Sequence, residues 1–161
     1  MGYIMDLRKK VGHDTLIGLG ATTLVFNKNK ELLLNLRTDT NMWGIPGGSM
    51  ELHETIQDTA IRELKEEAGI DAKDLKLVDV LSGDEYYFEY PNGDKMCTVI
   101  VLFKVENYSG TIMVGDNESK ELRFFKLDNL PLLESRAKAI CDKIINGQIK
   151  IDWLYSNFFI R

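Results

Sequence analysis

The stretch RELKEEAG, residues 62–69, places Glu63, Glu66 and Glu67 together with one arginine and one lysine for company. Like charges three and four apart on a helix repel one another, so such crowding needs a reason. At 3.6 residues per turn the three carboxylates fall within an arc of roughly 100°. That arc lies beside the apolar stripe Ile56, Ala60, Leu64 and Ala68 rather than opposite it. A hard divalent cation such as Mg²⁺ takes oxygen ligands and would turn the mutual repulsion into shared attraction. Taken alone, the same helix also reads as a solvated acidic face.

The elements that must position these groups are legible around them. From Glu54 to Ala68 the apolar residues keep a helical spacing, and Gly69 stands where a C-terminal cap belongs. Before it, WGIPGG at residues 43–48 is a bent loop, because Pro46 lacks a donor and Gly47 and Gly48 permit dihedrals other residues avoid. TLIGLGATTLVFN and KNKELLLNLR read as two strands around a short turn. LKLVDVLSGDEYYFEY and KMCTVIVLFKVEN are strand-like, with the Asn-Gly hairpin signature in PNGD between them. SKELRFFKL adds a strand, and residues 131–146 have helical spacing with Pro131 in the first turn and Gly147 as the stop. Strands with two helices favour an α+β fold, a mixed sheet with helices packed against it.

Bulk composition bounds what such a fold can do. With 161 residues and 44% hydrophobic content, one domain spanning residues 1–161 is expected. A net charge of −5 supplies no basic footprint for duplex nucleic acid. Cys97 and Cys141 have no neighbour at metal-ligand spacing, so both read as reduced, half-buried thiols of a cytoplasmic protein. The apolar run at residues 16–26 after Arg8, Lys9 and Lys10 imitates a secretory signal, but it continues into NKNKE without a cleavage pattern and reads as a core strand. No stretch approaches the roughly 20 apolar residues of a membrane span.

Reading outward from the glutamates gives Gly48, Glu54, Arg62-Glu63-Leu64, Glu66-Glu67, Gly69 and Ile70 at fixed spacing. With average residue usage such a pattern arises by chance in about one window in 10⁸ or rarer. It meets every specified position of the Nudix box, G-x5-E-x7-REUxEExGU with U aliphatic, and the chain resembles the MutT/Nudix hydrolases over residues 14 to about 146. The resemblance implies an α/β/α sandwich with a central mixed sheet, its helix at about 54–68 and a C-terminal helix at about 131–146. The first 13 residues are an N-terminal extension outside the likeness, and the aromatic tail at 148–161, too apolar to stay exposed, should dock.

Family members hydrolyse a nucleoside diphosphate linked to another moiety, using water and Mg²⁺ or Mn²⁺. The resemblance therefore implies that Glu63, Glu66 and Glu67 are catalytic metal ligands, that the Gly47 carbonyl adds an oxygen, and that Glu54 and Arg62 form a supporting ion pair, with Gly48 and Gly69 as structural glycines. A further acid often completes the site; Glu118 is the first choice, then Glu121, then Asp116. The general base stays open between the box glutamates and Glu118, and His53 reads as an exposed loop residue. It also implies a small nucleotide partner, with homodimers common in the family.

For the substrate, Trp43, Tyr86, Tyr87, Phe88 and Tyr90 offer aromatic surface, and Arg37, Lys95 and Arg123 offer positive charge. Tyr86 and Tyr87 follow the box at the distance where relatives acting on dinucleoside polyphosphates carry a tyrosine. Nucleoside triphosphates and dinucleoside polyphosphates thus rank ahead of ADP-ribose and nucleotide sugars. The other readings are a non-catalytic Nudix-fold nucleotide-sensing or partner-binding module, which commonly has a broken box, and an isomerase of the same fold, which would want further Cys and His ligands.

Overall fold

The computed structural model describes residues 2–115 and 117–152. Two sheets share the core. In the larger, the long strand β7 (Lys95–Ser109) is central: β1 (Leu16–Leu24) runs parallel along one side, and β5 (Asp71–Leu81) and β6 (Tyr87–Glu89) pair antiparallel along the other. The outer neighbour of β1 is the short strand β4 (Gly47–Ser49), antiparallel to it. The smaller sheet has the order β3 (Trp43–Gly44), β2 (Leu32–Arg37), β8 (Ser119–Phe125). One parallel pairing among antiparallel ones makes the architecture the mixed α+β sandwich expected.

The two strands read around a short turn do turn at Asn27–Glu31, but they part into different sheets. WGIPGG is the second crossing between the sheets, since its first residues belong to β3 and its last to β4. Pro46, which cannot donate, gives its carbonyl to the Thr23 amide at 2.9 Å and to the Thr23 hydroxyl at 3.1 Å. β4 then lies so close on β1 that a Cβ on Gly47 would sit 2.2 Å from the Ala21 carbonyl oxygen. Only glycine fits there.

The glutamate-bearing helix α2 spans Ile56–Ala68. Thr55 caps it through a capping box with Asp58, so Glu54 lies just ahead of the helix rather than in it. Ala60, Leu64 and Ala68 are buried as the spacing requires, and Gly69 closes the helix in the left-handed conformation, φ 72°. The loop after β7 covers this end: Met113 and Gly115 donate to the Ala68 and Glu67 carbonyls at 3.1 and 3.3 Å.

Three readings need correction, and one element was not anticipated. The first 13 residues contain a helix, α1 (Tyr3–Val11), ended by Gly12. Its Arg8 is only 7% exposed and donates to the carbonyls of Gly12 at 3.1 Å, Asp14, and Lys95 at 2.6 Å, which clips α1 to the start of β7. The C-terminal helix α3 is Ser135–Ile145, and Pro131 precedes it. Residues 132–134 are held extended beside β3, with Trp43 donating to the Leu132 carbonyl and Glu134 to that of Trp43; Glu134 then caps α3 through the amides of Arg136 and Ala137. The strand read through EYYFEY is broken by a 3-10 turn, Asp84–Tyr86, before the PNGD hairpin leads into β7. The cysteines divide, Cys97 exposed on β7 and Cys141 buried in α3, where burial pushes the thiol up to about 12.

The aromatic tail's Trp153 to Ile160 lie outside the described residues. Its first residues dock: Ile149 and Ile151 are buried with Leu24, Leu34, Ile140 and Ile144.

Candidate active site

A cleft of about 660 Å³ opens between α1, the glycine strands β1 and β4, the N-terminal half of β7, and α3. Glu63 and Glu66 enter it from α2, and Glu118 from the loop before β8. Gly48 makes the geometry work, because a Cβ there would lie 2.3 Å from the Glu63 carboxyl carbon. The strand is bare where the helix leans its carboxylate on it.

The three box glutamates sit at different depths. Glu66 is exposed, its side chain 53% accessible; that of Glu63 is 16% accessible; Glu67 is 2% exposed. Glu67 turns into the WGIPGG loop, accepting the Gly47 amide at 2.8 Å and the Asn35 side-chain amide at 3.2 Å. Arg62 binds Glu54 through two contacts, at 3.0 and 2.8 Å, and donates to the Ser49 carbonyl at 3.0 Å, as a supporting pair should. Its Nη1 also bridges Glu63 at 2.7 Å and Glu66 at 3.3 Å. Among the described residues no three His, Cys, Asp or Glu side chains stand ready as a metal-holding group. The guanidinium lies between two of the carboxylates, and the third serves the loop.

The electrostatics follow from this packing. Burial raises the Glu63 carboxyl above the ordinary carboxylate range, Arg62 opposes the rise, and the charges of Glu66 and Glu118 add to it. Glu54, hydrogen-bonded to Arg62, is held down to about 2. Such a surplus of hard oxygen donors around one half-buried carboxylate fits Mg²⁺ or Mn²⁺ rather than a soft metal.

The remaining candidates separate. Arg37 lines the cleft, held by both oxygens of Asp39 at 2.9 and 2.7 Å, and Tyr90 lines it too. Lys95 gives its backbone carbonyl to Arg8, and His53 is an exposed left-handed loop residue, φ 68°. Tyr86 is a core residue, 1% exposed, among Leu81, Ile140 and Ile144. Trp43 and Arg123 lie outside the cleft lining, with the guanidinium 5.6 Å from the Trp43 ring and paired to Glu121. Tyr87 is exposed on β6, also outside the lining. Of the residues expected to contact substrate, Arg37 and Tyr90 thus line the cleft and Trp43, Tyr86, Tyr87 and Arg123 do not, and Glu121 is likewise turned to Arg123. Asp116 lies outside the described residues. Two cleft elements escaped sequence reasoning: α1, and Arg136 of α3, whose guanidinium stacks 4.5 Å from the Phe88 ring. The spacing of Ile4, Leu7, Arg8 and Val11 ahead of Gly12 was the available signal for α1.

Fold and cleft together define a sandwich with a carboxylate-bearing helix set against a glycine strand. The NUDIX domain model matches residues 17–144, most of the chain, and the protein belongs to that family. An "ADP-ribose pyrophosphatase" of Methanocaldococcus jannaschii is 34% identical over 113 residues, 68% of this chain and 62% of that protein's length. A Bacillus subtilis protein provisionally named as an 8-oxo-dGTP diphosphatase is 38% identical over 113 residues, 70% of this chain and 69% of its own. The crystal structure of a MutT NUDIX hydrolase from Burkholderia pseudomallei superposes with a TM-score of 0.68 at 23% identity, covering 80% of this chain and 98% of that one.

Proposed function

We propose that the protein hydrolyses a phosphoanhydride bond in a nucleoside diphosphate linked to another moiety, in a reaction that depends on Mg²⁺ or Mn²⁺. The observation that carries this reading is the Glu63–Glu66–Glu118 group at one cleft, with Glu67 and Gly47 tied together behind it. Glu63, Glu66 and Glu67, with the Gly47 carbonyl and Glu118, would hold the cation. Bound there, it supplies neutralisation of phosphate oxygens and acidification of water. Arg62 keeps its contacts to Glu54 and Ser49 when it yields Glu66, so the helix stays oriented. A carboxylate of the same set accepts the proton of the attacking water, and Arg37 and Arg136 bring positive charge to the substrate's phosphates.

Among substrates, a nucleoside triphosphate is the reading we favour. The tyrosine cue for dinucleoside polyphosphates is weakened by the burial of Tyr86 and the outward position of Tyr87. The names of the two relatives divide between ADP-ribose and an oxidised nucleoside triphosphate. Hydrolysis of a nucleotide panel in ¹⁸O-labelled water, with Mg²⁺, with Mn²⁺ and with chelator, tests this. Labelled phosphate, pyrophosphate or nucleotide products that vanish with chelator are expected; no product from any member would remove the enzymatic reading.

A further inference from the structure

Part of the cleft is not acidic, and one of its polar atoms has no partner. Met96, Thr98 and Ile100 alternate along β7, so their side chains emerge on one face, and all three line the cleft. Beside them β1 contributes Gly18, which faces Thr98, and Gly20, which faces Ile100, so no β1 side chain overhangs this floor at those positions. The Thr98 hydroxyl is buried without a hydrogen-bond partner. Buried hydroxyls are normally paired, because leaving one unpaired sacrifices its hydration for nothing. Helix α1, outside the family-matched residues, adds Ile4 and Met5 to the same lining.

α1 is fixed there from both ends. Arg8 clips it to β7, and at its other end the Tyr3 amide donates to Glu51 at 2.7 Å. Glu51 in turn donates its amide to Glu54 at 2.7 Å, and Glu54 holds Arg62. The α1 wall of the slot is therefore linked to Arg62 through a chain of hydrogen bonds by way of Glu51 and Glu54. Thr98 and Gly48 are two strands and three residues apart in the sheet, roughly 14 Å by strand spacing and rise. That is the scale of a nucleoside diphosphate laid along the cleft.

Resting on the hydrolase reading above, we propose that the slot between α1 and β7 takes the nucleobase and that the Thr98 hydroxyl hydrogen-bonds its polar edge, making Thr98 and α1 the determinants of which nucleotide is accepted. Ile4, Met5, Met96 and Ile100 around the Thr98 hydroxyl, with Arg8, Asn92 and Asp94 also in the lining, suit a flat ring with a hydrogen-bonding rim. The hydroxyl is covered in this structure, so the base must displace lining side chains to reach it. Met5 and Met96, unbranched and with rotatable bonds to spare, are suited to move.

The test compares wild type with Thr98→Val, Thr98→Ser and Met5→Trp on the four common nucleoside triphosphates and on inorganic tripolyphosphate, which has no base. Thr98→Val should raise KM for the preferred nucleotide about tenfold, the worth of one hydrogen bond, with kcat little changed. Thr98→Ser should restore it, Met5→Trp should raise KM further by filling the slot, and neither KM nor kcat on tripolyphosphate should move. Without ligand, Thr98→Val should melt no lower than wild type, since an unpaired hydroxyl has been removed. An unchanged ranking of the four bases in Thr98→Val overturns the proposal. Should wild type hydrolyse nothing, the melting shift caused by a non-hydrolysable nucleoside triphosphate decides separately: a shift lost in Thr98→Val upholds base recognition while the hydrolase reading falls, and no shift in wild type overturns base recognition as well.

Discussion

Glu67 serves the loop and, in the proposed reaction, the chemistry as well. Its two oxygens hold the Gly47 amide and the Asn35 side chain, so an alanine there would strand buried donors. Glutamine keeps the shape and one acceptor, and Asn35 can turn its unpartnered oxygen towards the new amide. Glu67→Gln should therefore fold with a melting temperature near that of wild type while losing at least about 100-fold in metal-dependent turnover, of the size seen when one electrostatic stabiliser is removed. Circular dichroism and a turnover assay check the two halves. Glu54 supplies a pH prediction. Its carboxyl is held at about 2 instead of 4.5, so between those values the folded chain binds fewer protons than the unfolded one. The stability it contributes is complete above pH 4.5 and is lost as pH falls towards 2. Glu54→Gln should lose stability near neutral pH and show a shallower acid slope across that window, read by urea denaturation at a series of pH values.

At the scale of elements, the site depends on how closely α2 approaches β4. A methyl group on Gly48 would overlap the Glu63 carboxylate, whereas the strand's own pairing with Ala21 could persist. Gly48→Ala is expected to keep the fold, push Glu63 off its seat, and lower kcat by about tenfold or more, as misplacement of a catalytic group does. A wild-type kcat in this variant would show that the close contact is incidental. Helix α2 itself stands on local signals, its capping box and its glycine stop, which is why its limits differ from the sequence reading by only two residues at the start.

At the scale of the molecule, both ends of the described chain close the fold on itself. Arg8→Met keeps the side-chain stem and deletes the donors to three backbone carbonyls, and should cost about 2–3 kcal/mol in urea denaturation. It should also raise KM by loosening α1 at the cleft. At the other end, Ile149 and Ile151 fill the core beside α3. Removing residues from 148 onward should lower the melting temperature, each lost isoleucine costing about 2–5 kcal/mol if the cavity stays open; an unchanged melting curve would contradict their burial.

What the sequence determined by itself was the glutamate-bearing helix and its immediate support. Periodicity, cap and stop act within a few residues, so α2, Gly69 and the hairpin at residues 91–94 were readable, and the Glu54–Arg62 pair came with the family pattern. Long-range packing was not readable. Whether Tyr86 faced a cleft or the core depended on a turn that rotates it under α3, and a run of tyrosines and phenylalanines carries no phase to reveal this. Trp43 and Arg123 were claimed by each other across β3 and β8. The N-terminal helix was short; beyond the Tyr3 amide on Glu51 and the Arg8–Asp94 ion pair, it is held by Arg8 donating to backbone carbonyls, one of them far along the chain at Lys95. Such contacts leave no side-chain signature in sequence, because any residue supplies a carbonyl. Only the folded chain could bring α1, β7 and the glutamate helix to one cleft.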